Sequence, residues 1–271
     1  MPKNPKPLQV MGILNVTPDS FSDGGCYNQL DVAISRASEL IEHGADVLDI
    51  GGESTRPGSD AVSEAEELER VIPVIEAIKQ RFDIPVSIDT TKAKVMTESV
   101  NAGASFINDV NALREAGAVE AAASSGAEVC LMHMQGEPRT MQEQPHYDDV
   151  VCDVKRFFQE RIDVCTAAGI AREKIWLDPG FGFGKTPRHN YQLLQRLQAF
   201  HELQLPLLIG LSRKSMIGHV TGRDVSERLA GSLAGATIAA MKGARIIRVH
   251  DVKETVDAMK VVAATLEGEH I

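Results

Sequence analysis

Apolar residues along this chain fall into two alternating rhythms. Short, nearly unbroken apolar runs have the form of strands buried on both faces. Between them lie longer stretches whose apolar positions recur every three or four residues, the form of a helix with one face on a core. The runs at 8–16, 45–52, 85–90, 106–110, 128–134, 174–180, 206–214 and 245–251 read as strands. The intervening stretches at 31–43, 63–82, 92–102, 118–125, 147–168, 190–202, 225–242 and 253–266 read as helices. Local punctuation agrees: Gly44, Gly126 and Gly169 close helices, and Ser63 with Glu66 three residues on forms a capping box. Strict alternation of buried strands with helices requires a parallel sheet. Eight units with no linker between them favour a closed (β/α)8 TIM barrel, with the doubly wound open sheet as the alternative. The 271 residues fit a single domain over 1–271, since such barrels take ~250 residues.

The strands end alike. Asn15, Asp49, Asp89, Asn108, His133, Asp178, the Ser212-Arg213-Lys214 run, and Arg248 with His250 stand at or near the C-terminal ends of the eight runs. In a barrel these ends converge on one mouth, where such enzymes place their chemistry. A single buried Asp is ordinarily a satisfied structural group, and Asp49 is the first candidate for that role. Eight ends of one kind point instead to a shared pocket. Asp89, Asn108, Asp178 and Lys214 offer carboxylates, an amide and an ammonium, a set suited to a flat heterocycle carrying several N–H and C=O groups. Arg248 and His250, two apart on a strand, share a face; with Asn15, Thr55 and Arg56 they could hold a phosphate or pyrophosphate. A lone Asn can ligate Mg²⁺, which keeps most of its waters and leans on substrate phosphates.

The first strand leads into the polar loop TPDSFSDGG with one aromatic, Phe21, and the second into ESTRPG. Loops of this kind beside core strands are commonly functional. GFGFGKT at 180–186 resembles a P-loop but has the wrong glycine spacing, so it reads as a close-packed turn with Phe181 and Phe183 near the mouth.

Composition narrows the function. Aromatics make up only 4%, so the core must be built from aliphatic residues. A formal net charge of −10 argues against nucleic-acid binding, which needs a basic face. No run is long and apolar enough for a membrane span or signal peptide. The cysteines, Cys26, Cys130, Cys152 and Cys165, have no metal-ligand spacing and read as free thiols of a reducing cytoplasm. The small-residue stripe Ala230, Gly231, Ala234, Gly235 suits a tightly packed helix or a dimer face.

LNVTPDSFSDGG and GGESTRPG resemble the two signature segments of the dihydropteroate synthases, and SIDT, INDV, LDPGFGFGKT, LSRKS and IRVHD follow in that family's order. The likeness runs from Gln9 to the last helix. It implies condensation of (7,8-dihydropterin-6-yl)methyl diphosphate with 4-aminobenzoate to give 7,8-dihydropteroate and diphosphate in folate synthesis. It also implies a target of sulfonamides, Mg²⁺, a cytoplasmic location and a homodimer. By position, the resemblance makes Asn15 the metal ligand. It assigns the pterin to Asp89, Asn108, Asp178 and Lys214, and the diphosphate to Thr55, Arg248 and His250 with Arg56 assisting. Phe21, Pro57, Phe183 and Ser215 would line the aminobenzoate site, with Arg213 near its carboxylate. Asp89, Lys214, Arg248 and His250 are the expected catalytic residues. The alternatives are a methyltetrahydrofolate-type pterin methyltransferase and a non-catalytic pterin-binding protein.

Overall fold

In the computed structural model of the protein, which describes residues 8–17, 26–53, 62–136, 141 and 144–267, every apolar run yields a strand. These are β1 (Gln9–Asn15), β2 (Val47–Gly51), β3 (Val86–Asp89), β4 (Phe106–Asp109), β5 (Glu128–Met132), β6 (Ile175–Asp178), β7 (Leu208–Ile209) and β8 (Ile246–Val249). The helices are α1 (Cys26–Glu42), α2 (Glu64–Arg81), α3 (Ala93–Asn101), α4 (Ala118–Ser125), α5 (Val150–Ala167), α6 (Pro187–Gln195), α7 (Ser215–Thr221), α8 (Leu229–Met241) and α9 (Val252–Glu267). All strand pairs are parallel, in the order β6-β5-β4-β3-β2-β1-β8-β7. A parallel bridge between Leu177 of β6 and Leu207, just before β7, brings the two edges together. The result is the TIM-type barrel that the alternation predicts.

Strand pleating creates two concentric cores. Residues such as Leu48, Ile50, Ile88, Ile107, Leu131, Leu177 and Ile247 belong to the large core that the helices cover. Met11, Val47, Phe106, Cys130, Trp176, Leu208 and Ile246 form a separate buried cluster, the floor of the barrel interior. The indole of Trp176 in that floor donates from Nε1 to Glu128 Oε2 at 2.8 Å. Two residues further along β2, β4, β6 and β8, the inward positions become polar. That step of two places the site.

The elements depart from the sequence pattern where turn chemistry overrides it. β7 is only two residues long, because the chain beyond it folds into a turn with Arg213 at φ 58° and Lys214 N donating to Leu211 O at 3.2 Å. The stretch 190–202 divides into α6 and a 3-10 segment, Leu197–Leu203, at Arg196, which is non-helical. α7 fills a span between the predicted seventh strand and the helix at 225–242 that carries no helical periodicity of its own, and that predicted helix opens as a 3-10 turn, Val225–Glu227, before α8. The Ser63 cap is half formed: its hydroxyl accepts from Glu66 N at 3.3 Å, while the Glu66 carboxylate pairs with Arg70 instead of returning to the cap.

Candidate active site

The floor residues Val47, Phe106, Trp176 and Ile246 are each followed two positions on by Asp49, Asn108, Asp178 and Arg248, so these four rise from the floor on inward positions. β3 adds Ser87 and Asp89; in register, Asp89 lies beside Asn108 on one side and Gly51 on the other.

Arg248 is the hub of this layer. Its Nε donates to Asp49 Oδ2 at 2.5 Å and a terminal nitrogen donates to Asp89 Oδ2 at 2.6 Å. Asp49 Oδ2 also accepts from Asn108 Nδ2 at 3.1 Å. That bond turns the amide nitrogen of Asn108 toward Asp49 and leaves its carbonyl oxygen for another donor. Asp49 is therefore more than a buried structural carboxylate: it orients two of the expected substrate-binding side chains at once. Burial pushes Asp89 above the usual carboxylate range; Arg248 opposes that rise, while Asp49 adds to it. Burial acts against the Arg248 charge, but Asp49 and Asp89 outweigh it and hold the guanidinium protonated. Three buried polar atoms here, Asp49 Oδ1, Asp89 Oδ1 and Ser87 Oγ, have no hydrogen-bond partner among the described residues. Buried polar atoms are rarely left so, and two of these are carboxylate oxygens suited to the N–H groups of a ligand.

The opposite wall comes from β6 and β7. Asp178 Oδ1 accepts from Gly180 N at 2.8 Å, and burial raises its pKa against the pull of Lys214. Lys214 Nζ donates to Phe181 O at 2.5 Å and lies 4.6 Å from the centre of the Phe183 ring. Burial lowers Lys214 to about 8, with Asp178 pulling the other way. Phe183 packs against an apolar group of Val110, Met132, Met134 and Met141. The loop between β6 and α6 requires its glycines. Gly180 and Gly184 have positive φ, and a Cβ on them would fall 1.9 Å from His133 O and 2.4 Å from Gln135 O.

At the mouth, Ser212 Oγ lies 3.0 Å from His250 Nδ1 and accepts from His250 N at 3.3 Å. Arg213 forms a two-pronged pair with Asp251, through Nε to Oδ2 at 2.9 Å and through a terminal nitrogen to Oδ1. Ser215 opens α7 and is exposed. Asn15 ends β1; in register Gly51 lies between it and Asp89, and a methyl group at Gly51 would lie 3.6 Å from both Asn15 Oδ1 and Asp89 Cβ, so the two side chains flank the gap that Gly51 leaves. Among the described residues no group of three His, Cys, Asp or Glu could hold a metal. The amide oxygen of Asn15 is a donor that suits a hard cation completing its shell from water and substrate, as Mg²⁺ does.

The structure thus gathers Asn108, Asp89, Asp178, Lys214 and Arg248 around one interior, with Asn15, Phe183, Ser212, Arg213 and His250 around its opening. Phe21, Thr55, Arg56 and Pro57 lie outside the described residues. Reasoning from sequence missed the orienting role of Asp49 and the buried Lys185, described below. It also missed Asp109, whose carboxylate accepts from Asn111 N and Leu113 N at 2.7 Å each and shapes the turn beside Asn108.

The chain is similar along most of its length to known proteins. A family profile described as pterin binding enzyme matches residues 11–250. The dihydropteroate synthase of Escherichia coli K12 is 62% identical over 260 residues, covering 96% of this chain and 92% of that protein. The structure of Yersinia pestis dihydropteroate synthase with a sulfonamide drug complex superposes with a TM-score of 0.92 at 61% identity, covering 97% of this chain and 95% of that one. The Xanthomonas albilineans enzyme in complex with 7,8-dihydropteroate superposes with a TM-score of 0.88 at 49% identity, covering 96% and 94%.

Proposed function

The chain belongs to the dihydropteroate synthase family of pterin-binding enzymes, and from that premise we propose how its residues divide the reaction. The reaction joins (7,8-dihydropterin-6-yl)methyl diphosphate to 4-aminobenzoate, releasing diphosphate and forming 7,8-dihydropteroate. The bicyclic ring enters the barrel first. Asp178 accepts from its amino and ring N–H groups, the carbonyl oxygen of Asn108 accepts from another, and Lys214 donates to the ring's acceptors. The observation that supports this orientation is the polar layer above the floor, with Asp49 Oδ1 and Asp89 Oδ1 buried and without a partner among the described residues.

The diphosphate then faces the mouth. His250, held by Ser212, and the remaining nitrogen of Arg248 neutralise its charge, with Thr55 and Arg56 assisting. Asn15 would hold Mg²⁺, whose charge would make the diphosphate a better leaving group. As the C–O bond to diphosphate breaks, positive charge develops on the exocyclic methylene and spreads into the ring, where the Asp89 carboxylate stabilises it. The amine of 4-aminobenzoate supplies the electron pair for the new C–N bond and loses a proton. Phe21, Pro57, Phe183 and Ser215 line its approach, and Arg213 stands near its carboxylate.

We read the whole chain as one pterin-binding domain. The exposed face of α8, with Ala230, Ala234, Ile238 and Met241, supports a homodimer. Cys130, Cys152 and Cys165 are free thiols, which supports a reducing, cytoplasmic setting. No described helix is long and apolar enough to cross a membrane. Diphosphate release tests the reading of the site. It should require both substrates and fall at least tenfold when EDTA removes divalent cations, with magnesium restoring it. Binding of a dihydropterin lacking the diphosphate should be unchanged by EDTA. Equal loss for both pterins would contradict a metal that acts through the diphosphate.

A further inference from the structure

Lys185 is 2% exposed and forms no ion pair with a carboxylate among the described residues. Its Nζ lies 2.9 Å from His133 Nδ1, 3.1 Å from His133 O, 2.9 Å from Gly180 O and 2.9 Å from Phe183 O. Three carbonyls and a ring nitrogen thus surround it, the arrangement a bound cation would have. The 179–186 loop is wound about it through Gly180, Gly182 and Gly184, at φ 70°, 81° and 60°. Asn190 ties the loop down from α6, accepting from Gly182 N at 2.8 Å and donating to Lys185 O at 3.3 Å.

The same loop serves the pocket with its other face. Phe181 O receives the Lys214 ammonium, the Phe183 ring lies against it, and Gly180 N holds Asp178 Oδ1. Loop carbonyls therefore point two ways, inward to Lys185 and outward to Lys214. Burial pushes the Lys185 ammonium well below its ordinary range, with the Asp178 carboxylate pulling the other way, so holding it there costs free energy that an apolar side chain would not. The return is geometric: the loop's flexible glycines are fixed by bonds to one charged centre.

We infer that Lys185 is a positioning residue for the pterin site, holding the 179–186 loop so that Phe181 O and Gly180 N place Lys214 and Asp178 on the ring. The inference rests on the pterin reading given above. It carries a corollary for His133, a neighbour with no assigned part in the reaction. If Lys185 donates to Nδ1, the imidazole is neutral with its proton on Nε2. Burial, and next the Lys185 charge, lower His133 to about 2, in keeping with that form.

Lys185→Met tests the inference, with the intact enzyme and two separate constants. The Kd for the dihydropterin diphosphate in the absence of 4-aminobenzoate should rise at least tenfold. The Kd for inorganic diphosphate, which reads the His250 and Arg248 end of the site and not the 179–186 loop, should stay within twofold of wild type. A folded variant that binds the pterin within twofold of wild type, or one in which both constants rise together, overturns the inference. Should the variant fail to fold, the nitrogen NMR shifts of His133 in the wild-type enzyme decide: an unprotonated Nδ1 at pH 7 supports the Lys185 bond, and a protonated Nδ1 overturns it. Failure of the wild type itself to bind the dihydropterin diphosphate would count against the pterin reading, not against the role of Lys185.

Discussion

Two of the expected substrate-binding residues, Arg248 and Lys214, are cations set in a largely acidic interior, and their surroundings differ. Arg248 is bound by Asp49 and Asp89 and keeps its charge at any ordinary pH. Lys214 is lowered to about 8 by burial, because its nearest bonded group is a neutral carbonyl. It is charged below that pH and loses its proton above it. The kcat/KM for the pterin substrate should therefore fall above pH about 8, and Lys214→Arg should move that alkaline limb upward by more than one pH unit, though with lower activity. A pH–rate profile of the two proteins checks this; an unmoved limb would assign it to another group. Residue types were readable in the sequence because each stands at the end of an apolar run. The pairing of Arg248 with Asp49 was not, since residues 199 positions apart meet only once the barrel closes. For that reason Asp49 reads from the sequence as structural and from the structure as orienting.

Among the elements, the turn after β4 holds the strongest local conflict. Ala112 and Leu113 are successive non-glycine residues at φ 54° and 57°, a conformation that disfavours side chains. Two devices hold it. Asp109 accepts from the amides of Asn111 and Leu113, and Arg161 of α5 donates to Ala112 O and Leu113 O at 2.9 and 3.1 Å. Burial raises Asp109 to about 7 against the pull of those amide bonds. Because its folded pKa lies above the unfolded one, ionised Asp109 is disfavoured by folding. Its contribution to stability is fully present below pH about 4 and is lost as the pH rises through about 7. Asp109→Asn should cost about 1–3 kcal/mol at pH 5, since one amide then faces a side-chain donor, and less at pH 8. Urea unfolding at both pH values measures it; equal costs would contradict the raised pKa. No sequence pattern announces such a turn. Hydrophobic rhythm locates elements, but left-handed backbone at Ala or Leu is imposed by distant partners such as Arg161. The same limit explains α7 and the division at Arg196.

For the whole molecule, the fold class was legible because eight apolar runs alternating with helical periodicity admit few arrangements. The second core inside the barrel was legible only in part. Its floor follows from alternation along each strand, but the change from apolar to polar two residues higher becomes a site only when the strands share a register. Assembly is a separate matter. α8 carries apolar residues on its outer as well as its inner face, which suits a second copy of the chain. Ala234→Glu should give a monomer in sedimentation velocity with its circular dichroism unchanged. A dimer that persists in this variant would place the interface elsewhere.

Crystallography of the enzyme with the dihydropterin diphosphate, before 4-aminobenzoate is added, tests the placement of the substrate most directly. The ring should lie in the barrel interior within hydrogen-bonding distance of Asp178 and Asn108, and the diphosphate should lie at the mouth near His250 and Asn15. A ring held at the opening with its diphosphate toward Asp49 would contradict the account.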